Sequence, residues 1–200
     1  MQLVIDCATA ACSAALIEGA RLVDERYELV GRGHAERLVP MIRELLAGRR
    51  PSSILVDCGP GSFTGVRVGL AAAHGLAIGW RKPLHGYSSL AAIAAAAGGS
   101  GELAVALQAG HGQLFVQSYD RDPLKPLDEL RSLLPADAAA AIGARLVLGS
   151  GAETLVSARG HGEALDRLPR AADVRLLPEP LRTLPPRPIY GRAPDAKPQA

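Results

Sequence analysis

The run of residues 59–70 constrains the fold of this chain most strongly, because it joins a strand, a glycine turn and a helix. The preceding segment, 53–58, is a short apolar run typical of a strand that a parallel sheet buries on both faces. Two glycines and a proline then force a turn, and Ser62 is a suitable N-cap for a helix over residues 63–79. The run therefore predicts a strand, turn and helix unit of an α/β fold.

The predicted helix carries small residues at every fourth position, at Gly65, Gly69, Ala73 and Ala77, so one of its faces is nearly bare. Each glycine inside a helix costs about 1 kcal/mol relative to alanine, so the pattern needs a reason. Two interpretations stay open: tight packing on the chain's own sheet, or a helix face that receives a partner. Arg67 could lie beside either contact.

The glycine turn also resembles an anion site, because a helix N-terminus gathers free backbone amides and the positive end of the dipole. A Walker loop would close on Gly-Lys-Ser or Gly-Lys-Thr, and this turn has no lysine. The segment also lacks the GxGxxG spacing of a dinucleotide fold. The phosphate interpretation is therefore weakly supported.

Composition limits the class of protein. The 200 residues, 48% of them hydrophobic, suffice for one good core or two small ones. A net charge of +2 gives no strong case for nucleic acid as the main ligand. We find no long apolar run and no signal peptide, and so expect a cytoplasmic protein without membrane contact. Cys7, Cys12 and Cys58 form no metal-ligand pair and are expected to be reduced thiols in the core.

The order of predicted elements indicates two lobes. Residues 1–101 read as a mixed sheet flanked by helices, closed by a glycine-rich hinge. Residues 103–119 echo residues 3–17, which suggests a duplication and two related lobes facing a cleft. We therefore predict a second, smaller lobe over 102–180 and an extended or loose Pro/Arg-rich tail over 181–200.

Several segments together resemble the bacterial TsaB (YeaZ) family. They are Asp6 with Thr9 and residues 12–14, then 34–40, 59–69 and 86–90. The resemblance covers the first lobe and becomes thin beyond residue 120. It implies the two-lobe actin-like and sugar-kinase-like (ribonuclease H-like) fold, here with a reduced second lobe.

The resemblance also implies a function in making threonylcarbamoyladenosine at the tRNA position next to the anticodon. A TsaB-like protein is not an enzyme by itself; it pairs with a TsaD-like catalytic subunit, which transfers the threonylcarbamoyl group. A TsaE-like ATPase joins a larger complex, and tRNA is reached indirectly through that complex. No intrinsic cofactor is implied, ATP or ADP would bind at the partner interface, and the chain alone could form a homodimer.

In the family, the partner surface comes mainly from two first-lobe helices. The residues that this implies here are His34, Leu38, Ile42, Gly65, Arg67, Gly69, Leu70 and Ala73.

His34 is relevant to whether the chain holds a metal ion. The catalytic paralogue holds a metal with two histidines four residues apart, whereas here Leu38 stands four positions after His34. A lone histidine does not make such a site, so His34 is interpreted as a capping or interface residue.

An active kinase of this fold needs carboxylates from both lobes. Asp6, with Thr9 after it, supplies the first, but the corresponding residue of the second lobe is Gln108, which cannot act as a base. A second glycine turn, with Gly149 and Gly151, stands where two-lobe kinases hold adenosine and is a weak nucleotide candidate.

Two alternatives therefore remain beside the subunit interpretation. The first is an active small-molecule kinase or phosphotransferase of the same fold. The second is a structural protein that self-associates through the small-residue helix face.

Overall fold

Two mixed β-sheets flanked by helices make up the fold, which the computed structural model describes for residues 1–191. Residues 192–200 of the predicted tail lie outside the described residues. In the first sheet the strands are ordered β3-β2-β1-β4-β5. They are β1 (Gln2–Asp6), β2 (Ala11–Glu18), β3 (Arg21–Leu29), β4 (Ser53–Asp57) and β5 (Leu84–Tyr87), with helices α1 (His34–Leu46), α2 (Phe63–Trp80) and α3 (Ser89–Ala95).

The second sheet follows in the chain and is ordered β11-β10-β6-β7-β8, with β9 also paired to β7. Its strands are β6 (Glu102–Gln108), β7 (Leu114–Arg121), β8 (Leu124–Pro126), β9 (Arg131–Leu133), β10 (Leu146–Leu148) and β11 (Glu163–Leu165). Two helices accompany it, α4 (Pro135–Ala141) and α5 (Ala152–Arg159). The predicted α/β fold with two mixed sheets flanked by helices is confirmed.

The two sheets share one plan. In the first, β1 pairs antiparallel with β2 and parallel with β4, and in the second β6 pairs antiparallel with β7 and parallel with β10. This repeat agrees with the echo between residues 3–17 and 103–119 in the sequence. It places the ends of β1 and β6 at equivalent positions in the two sheets.

Three layers of apolar residues hold the sheets and helices together. Helices α1 and α2 cover one face of the first sheet, with Leu38 and Met41 fully buried against Ile5 and Val56. The next core lies between the two sheets, around α3, and includes Tyr87, Leu90, Val105 and Tyr119. The third core packs α4 and α5 on the second sheet, around Leu114, Val147 and Leu155. Burial of this apolar surface is the main force that holds the fold together.

The chain returns to the first sheet after β11. A 3-10 helix, Ala171–Leu176, packs there, and the Ala171 amide donates to Ser13 Oγ at 3.0 Å. Leu184 then forms an antiparallel bridge with Gly86 on the edge strand β5, and the Ile189 amide donates to the Cys58 carbonyl at 2.8 Å. The described part of the predicted extended or loose tail is therefore extended and held to the first sheet, because an open strand edge binds that backbone.

Candidate functional site

A cleft of about 900 Å³ lies between the two lobes. Its floor includes Ala8, Thr9 and Ala10, from the loop after β1, and Gln108 and Ser150 from the second lobe. Its walls carry the aromatic side chains of Phe63, Phe115 and Tyr190. The cleft is thus mostly apolar, with polar atoms at its floor.

The predicted nucleotide contacts do not converge on this cleft. Thr9 lines it, but Asp6 is fully buried beneath the floor, where its Oδ1 accepts from the Ala8 amide at 3.1 Å. Gly149 and Gly151 are buried behind Ser150, which lines the cleft in their place. Of the four candidates, Thr9 alone faces the open space.

Both glycine turns are explained by close backbone packing. A Cβ on Gly61 would lie 2.0 Å from the Ala8 carbonyl oxygen, and a Cβ on Gly149 would lie 2.2 Å from the Ala106 oxygen. The same oxygens accept amides of the turns, from Ser62 at 2.6 Å and from Gly151 at 2.9 Å. These amides are therefore occupied within the chain, and the glycines serve a strand–helix contact.

Asp57 is a buried carboxyl group that the sequence reasoning missed. It ends β4 one residue beyond the Ile5–Val56 pair, so it lies beside Asp6 at the end of β1. Burial raises the pKa of Asp6 to about 6 and that of Asp57 well above its usual range, and the nearby Asp6 charge raises Asp57 further. The signal in the sequence was an aspartate at the end of each of two apolar strands.

The inner stripe of α2 packs on the chain's own sheet. A Cβ on Gly65 would lie 2.0 Å from the Cys7 carbonyl oxygen, and one on Gly69 would lie 3.6 Å from Cys7 Cβ. Ala73 is fully buried in the same core. The structure thus favours the first of the two interpretations that the stripe left open.

Most of the predicted interface residues are consequently inside this chain. Seven of the eight are buried: His34, Leu38, Ile42, Gly65, Gly69, Leu70 and Ala73. These seven residues lie in the packing between α1, α2 and the first sheet, so the prediction that they form a surface needs correction. Only Arg67 is exposed; its guanidinium lies 3.1 Å from the centre of the Phe63 ring and donates to the Tyr190 hydroxyl at 2.9 Å.

His34 joins α1 to the loop between β1 and β2. Its Nε2 lies 2.9 Å from the Thr9 carbonyl oxygen and 3.2 Å from the Ala11 oxygen, so it donates its proton there. The N-cap of α1 is Gly33, and no side chain caps the helix. His34 is therefore a buried tether and does not cap its own helix.

A second bare stripe of α2 faces solvent. Ala71, Gly75 and Gly79 repeat every fourth residue and are exposed, and a Cβ on either glycine would have no atom within 4 Å. Ile78 on the same helix is 78% exposed, and Val39 on α1 is 57% exposed. The sequence contained this stripe in the same spacing, but nothing in that spacing told the inner stripe from the outer one.

Neither a metal cluster nor a membrane helix is found in the described part of the chain. Among residues 1–191, no group of three or more His, Cys, Asp or Glu side chains is placed to hold a metal ion. Within the same residues, no helix combines the length and the apolar composition that a membrane crossing requires.

Comparison with known proteins identifies the family. The family model described as "TsaD: tRNA N6-adenosine threonylcarbamoyltransferase" matches residues 27–170. The solved structure of YeaZ from Pseudomonas aeruginosa is 32% identical, has a TM-score of 0.76, and covers 88% of this chain and 88% of that chain. The chain belongs to the TsaB (YeaZ) family.

Two other relatives of this TsaB family member cover different shares of its length. A second Pseudomonas aeruginosa structure, described as similar to the peptidase YEAZ, has a TM-score of 0.79 and 30% identity, and covers 96% of this chain and 99% of that chain. The Escherichia coli protein named tRNA threonylcarbamoyladenosine biosynthesis protein TsaB is 38% identical over 128 residues, or 60% of this chain and 55% of that protein. The chain thus spans about half the length of this curated relative.

Proposed function

We propose that this protein is the non-catalytic subunit that binds and activates a TsaD-like transferase in threonylcarbamoyl transfer to tRNA in the cytoplasm. Its membership of the TsaB (YeaZ) family supports the pathway, and the names of its relatives support the partner. The observation that carries the proposal is the exposed, bare face of α2 beside α1.

Helix α2 exposes small and apolar residues on much of its outer side. Its inner stripe is buried on the first sheet, and its outer stripe of Ala71, Gly75 and Gly79 is open to solvent with Ile78 beside it, between the exposed side chains of Arg67 and His74. An exposed patch of this kind with polar residues at its edge is typical of a surface that a partner covers. The absence of side chains on the two glycines lets a second helix approach closely.

A related two-lobe subunit suits this surface better than an unrelated protein. Such a subunit would present the equivalent helix pair, and the two pairs would meet about a pseudo-twofold axis. Val39 and Ile78 would then lie inside the contact, and the exposed charges of Arg43 and Glu44 on α1 would lie at its rim.

The cleft supports a function without chemistry of its own. Among the described residues that line it there is no Asp, Glu, Lys or His, and Arg67 carries its single formal charge. Gln108 replaces the carboxylate of an active kinase, and its amide donates to Thr154 Oγ1 at 2.9 Å. We therefore place catalysis in the TsaD-like partner, with any ATP or ADP at the interface, a TsaE-like ATPase in a larger complex, and tRNA reached through that complex.

The decisive experiment adds a large cation to the bare stripe. Gly75→Arg introduces a side chain into open space on a helix, so the chain should stay folded while losing the contact. The matched control is Gly143→Arg, since Gly143 is also exposed, with no atom within 4 Å of a Cβ, but lies in the second lobe. We would mix each chain with the TsaD-like protein of the same organism, and measure mass by sedimentation and threonylcarbamoyl transfer to tRNA.

We expect wild type and Gly143→Arg to form the complex and support transfer, and Gly75→Arg to do neither. Binding by Gly75→Arg equal to wild type would overturn the proposed surface. No complex with any chain, together with a homodimer of the chain alone that Gly75→Arg dissociates, would favour the self-association alternative. ATP turnover by the chain alone that Asp6→Asn removes would favour the kinase alternative.

A further inference from the structure

Cys7 and Cys12 form a pair of adjacent thiols in the hairpin of β1 and β2. Their Sγ atoms are 3.7 Å apart, and both side chains are buried. The strand register pairs Asp6 with Ser13, so Cys7 and Cys12 are the next opposed positions. Opposed antiparallel residues have Cα atoms roughly 4.5–5.5 Å apart, within the span of about 4.4–6.8 Å that a disulfide bridges.

The two thiols differ in reactivity. The hydrogen bond between the two thiols lowers the pKa of Cys12, whereas the same bond and burial raise the pKa of Cys7. The thiolate is the reactive form of cysteine, so Cys12 is the nucleophile and Cys7 the resolving thiol. Cys58 has no second cysteine as partner, and burial raises its pKa to about 12.

We propose that Cys7 and Cys12 form a reversible disulfide when the chain meets a small peroxide. The Cys12 thiolate attacks one peroxide oxygen and the O–O bond breaks, which leaves a sulfenic acid on Cys12. The departing hydroxide takes up the proton that Cys12 released on ionisation and becomes water. The sulfur of Cys7 then displaces hydroxide from the sulfenic acid, and the Cys7 proton completes a second water. Two thiols are thus oxidised by two electrons in total, and one hydrogen peroxide is reduced to two waters.

Both sulfurs are buried, so the oxidant reaches them only when the loop next to the cleft opens locally. The loop between the two cysteines forms part of the cleft floor, where Ala10 is exposed and Thr9 partly exposed. Hydrogen peroxide is close to water in size, so a local opening of this loop admits it where a bulky disulfide reagent would not fit.

The loop between the cysteines also contacts the starts of two helices of the first sheet, α1 and α2. His34 at the start of α1 donates to the Thr9 and Ala11 carbonyl oxygens, and Ser62 before α2 donates its amide to Ala8. Bond formation draws the sulfurs from 3.7 Å to about 2.05 Å, so the loop between them must adjust. The cysteine pair is therefore a modification site beneath the starts of α1 and α2. This inference does not depend on the proposed function.

Peptide mapping of the intact wild-type chain tests this inference directly. The folded protein is treated with hydrogen peroxide, its free thiols are alkylated after denaturation, and it is digested with trypsin. Both cysteines lie in the tryptic peptide 1–21, and Cys58 lies alone in the peptide 50–67. We expect peptide 1–21 to lose two hydrogen atoms and take no alkyl group, while peptide 50–67 is alkylated as before. Dithiothreitol should restore both alkylation sites.

Variants separate a specific disulfide from general oxidation. Cys7→Ala should stop at an oxidised single thiol without an internal link, and Cys58→Ala should form the link as the wild type does. Full alkylation of all three cysteines after treatment would overturn the inference, as would links between chains, oxidation of Cys58 at an equal rate, or linkage only in the unfolded chain. The wild-type mapping remains decisive even if a variant does not fold.

Discussion

Asp57 and Asp6 are two fully buried carboxyl groups that lie side by side at the neighbouring ends of β4 and β1. Burial raises the pKa of both groups, and the nearby Asp6 charge raises the pKa of Asp57 further, so the two groups resist ionising together. The Asp57 oxygens accept hydrogen bonds from Gly59 N at 2.6 Å and from Ser89 Oγ at 2.7 Å. Asp6 Oδ2 has no hydrogen-bond partner among the described residues.

This pair predicts that stability falls as the pH rises. The pKa of Asp6 is raised from 3.8 to about 6, so between these values the folded chain binds more protons than the unfolded chain. The contribution to the free energy of unfolding is complete below pH 3.8, the pKa of Asp6 in the unfolded chain, and it is lost as the pH rises through the folded pKa of about 6. The loss is about 1.4 kcal/mol per pH unit for each extra proton that the folded chain binds. The raised pKa of Asp57 extends the loss to higher pH.

The measurement is the free energy of unfolding in denaturant from pH 4 to 8, for wild type, Asp57→Asn and the exposed control Asp137→Asn. Asp57→Asn leaves no carboxyl group at position 57 to ionise, so the stability of this variant should fall less with pH than that of the wild type. Parallel curves for wild type and Asp57→Asn would show that ionisation of Asp57 does not contribute to the pH dependence.

Two glycines of α2 should respond in opposite directions to the same change. Gly65→Ala places its Cβ 2.0 Å from the Cys7 carbonyl oxygen, so we expect a loss of about 3 kcal/mol through overpacking. Gly75→Ala meets no atom within 4 Å and should stabilise the chain by about 1 kcal/mol through helix propensity. Thermal and denaturant unfolding measure both, and equal effects would mean that the inner stripe is not packed on the sheet.

Gly69→Leu should destabilise the chain as well. A Cβ there already lies 3.6 Å from Cys7 Cβ and 3.8 Å from Val56 Cγ2, so a leucine has no room. We expect a loss of about 1–3 kcal/mol. If Gly69→Leu instead abolished partner binding at full stability, the inner stripe would be a partner surface after all.

Removal of the His34 donor should loosen the start of α1. His34→Leu leaves the Thr9 and Ala11 carbonyl oxygens without that donor, which should cost about 1–3 kcal/mol. His34→Gln keeps an N–H donor and should recover part of the loss. Hydrogen exchange of the first turn of α1 would report the effect, and identical exchange in both variants would contradict the tether.

The C-terminal segment should depend on one backbone donor. Ile189→Pro removes the amide that donates to the Cys58 carbonyl oxygen at 2.8 Å, whereas Ile189→Ala retains it. We expect Ile189→Pro to destabilise the chain by about 1–2 kcal/mol more than Ile189→Ala, and to speed alkylation of Cys58. Equal alkylation rates in the two variants would show that this bond does not hold the segment.

The sequence by itself determined the α/β class and the strand, turn and helix unit around residues 59–70, because those depend on local chemistry. The glycines and proline of 59–61 required a turn, and Ser62 caps α2 by accepting the Gly65 amide at 3.2 Å. The repeated strand pattern also indicated two similar sheets. Each of these signals lies within a few residues of the feature that it predicts.

Only the tertiary structure decided which surfaces these elements present. Gly65, Gly69 and Ala73 have the same spacing as Ala71, Gly75 and Gly79, so periodicity could not tell the inner face from the outer one. The contact of Asp57 with Asp6 depends on the pairing of two distant strands. The bridge from Leu184 to Gly86 likewise depends on a sheet edge that local sequence does not contain.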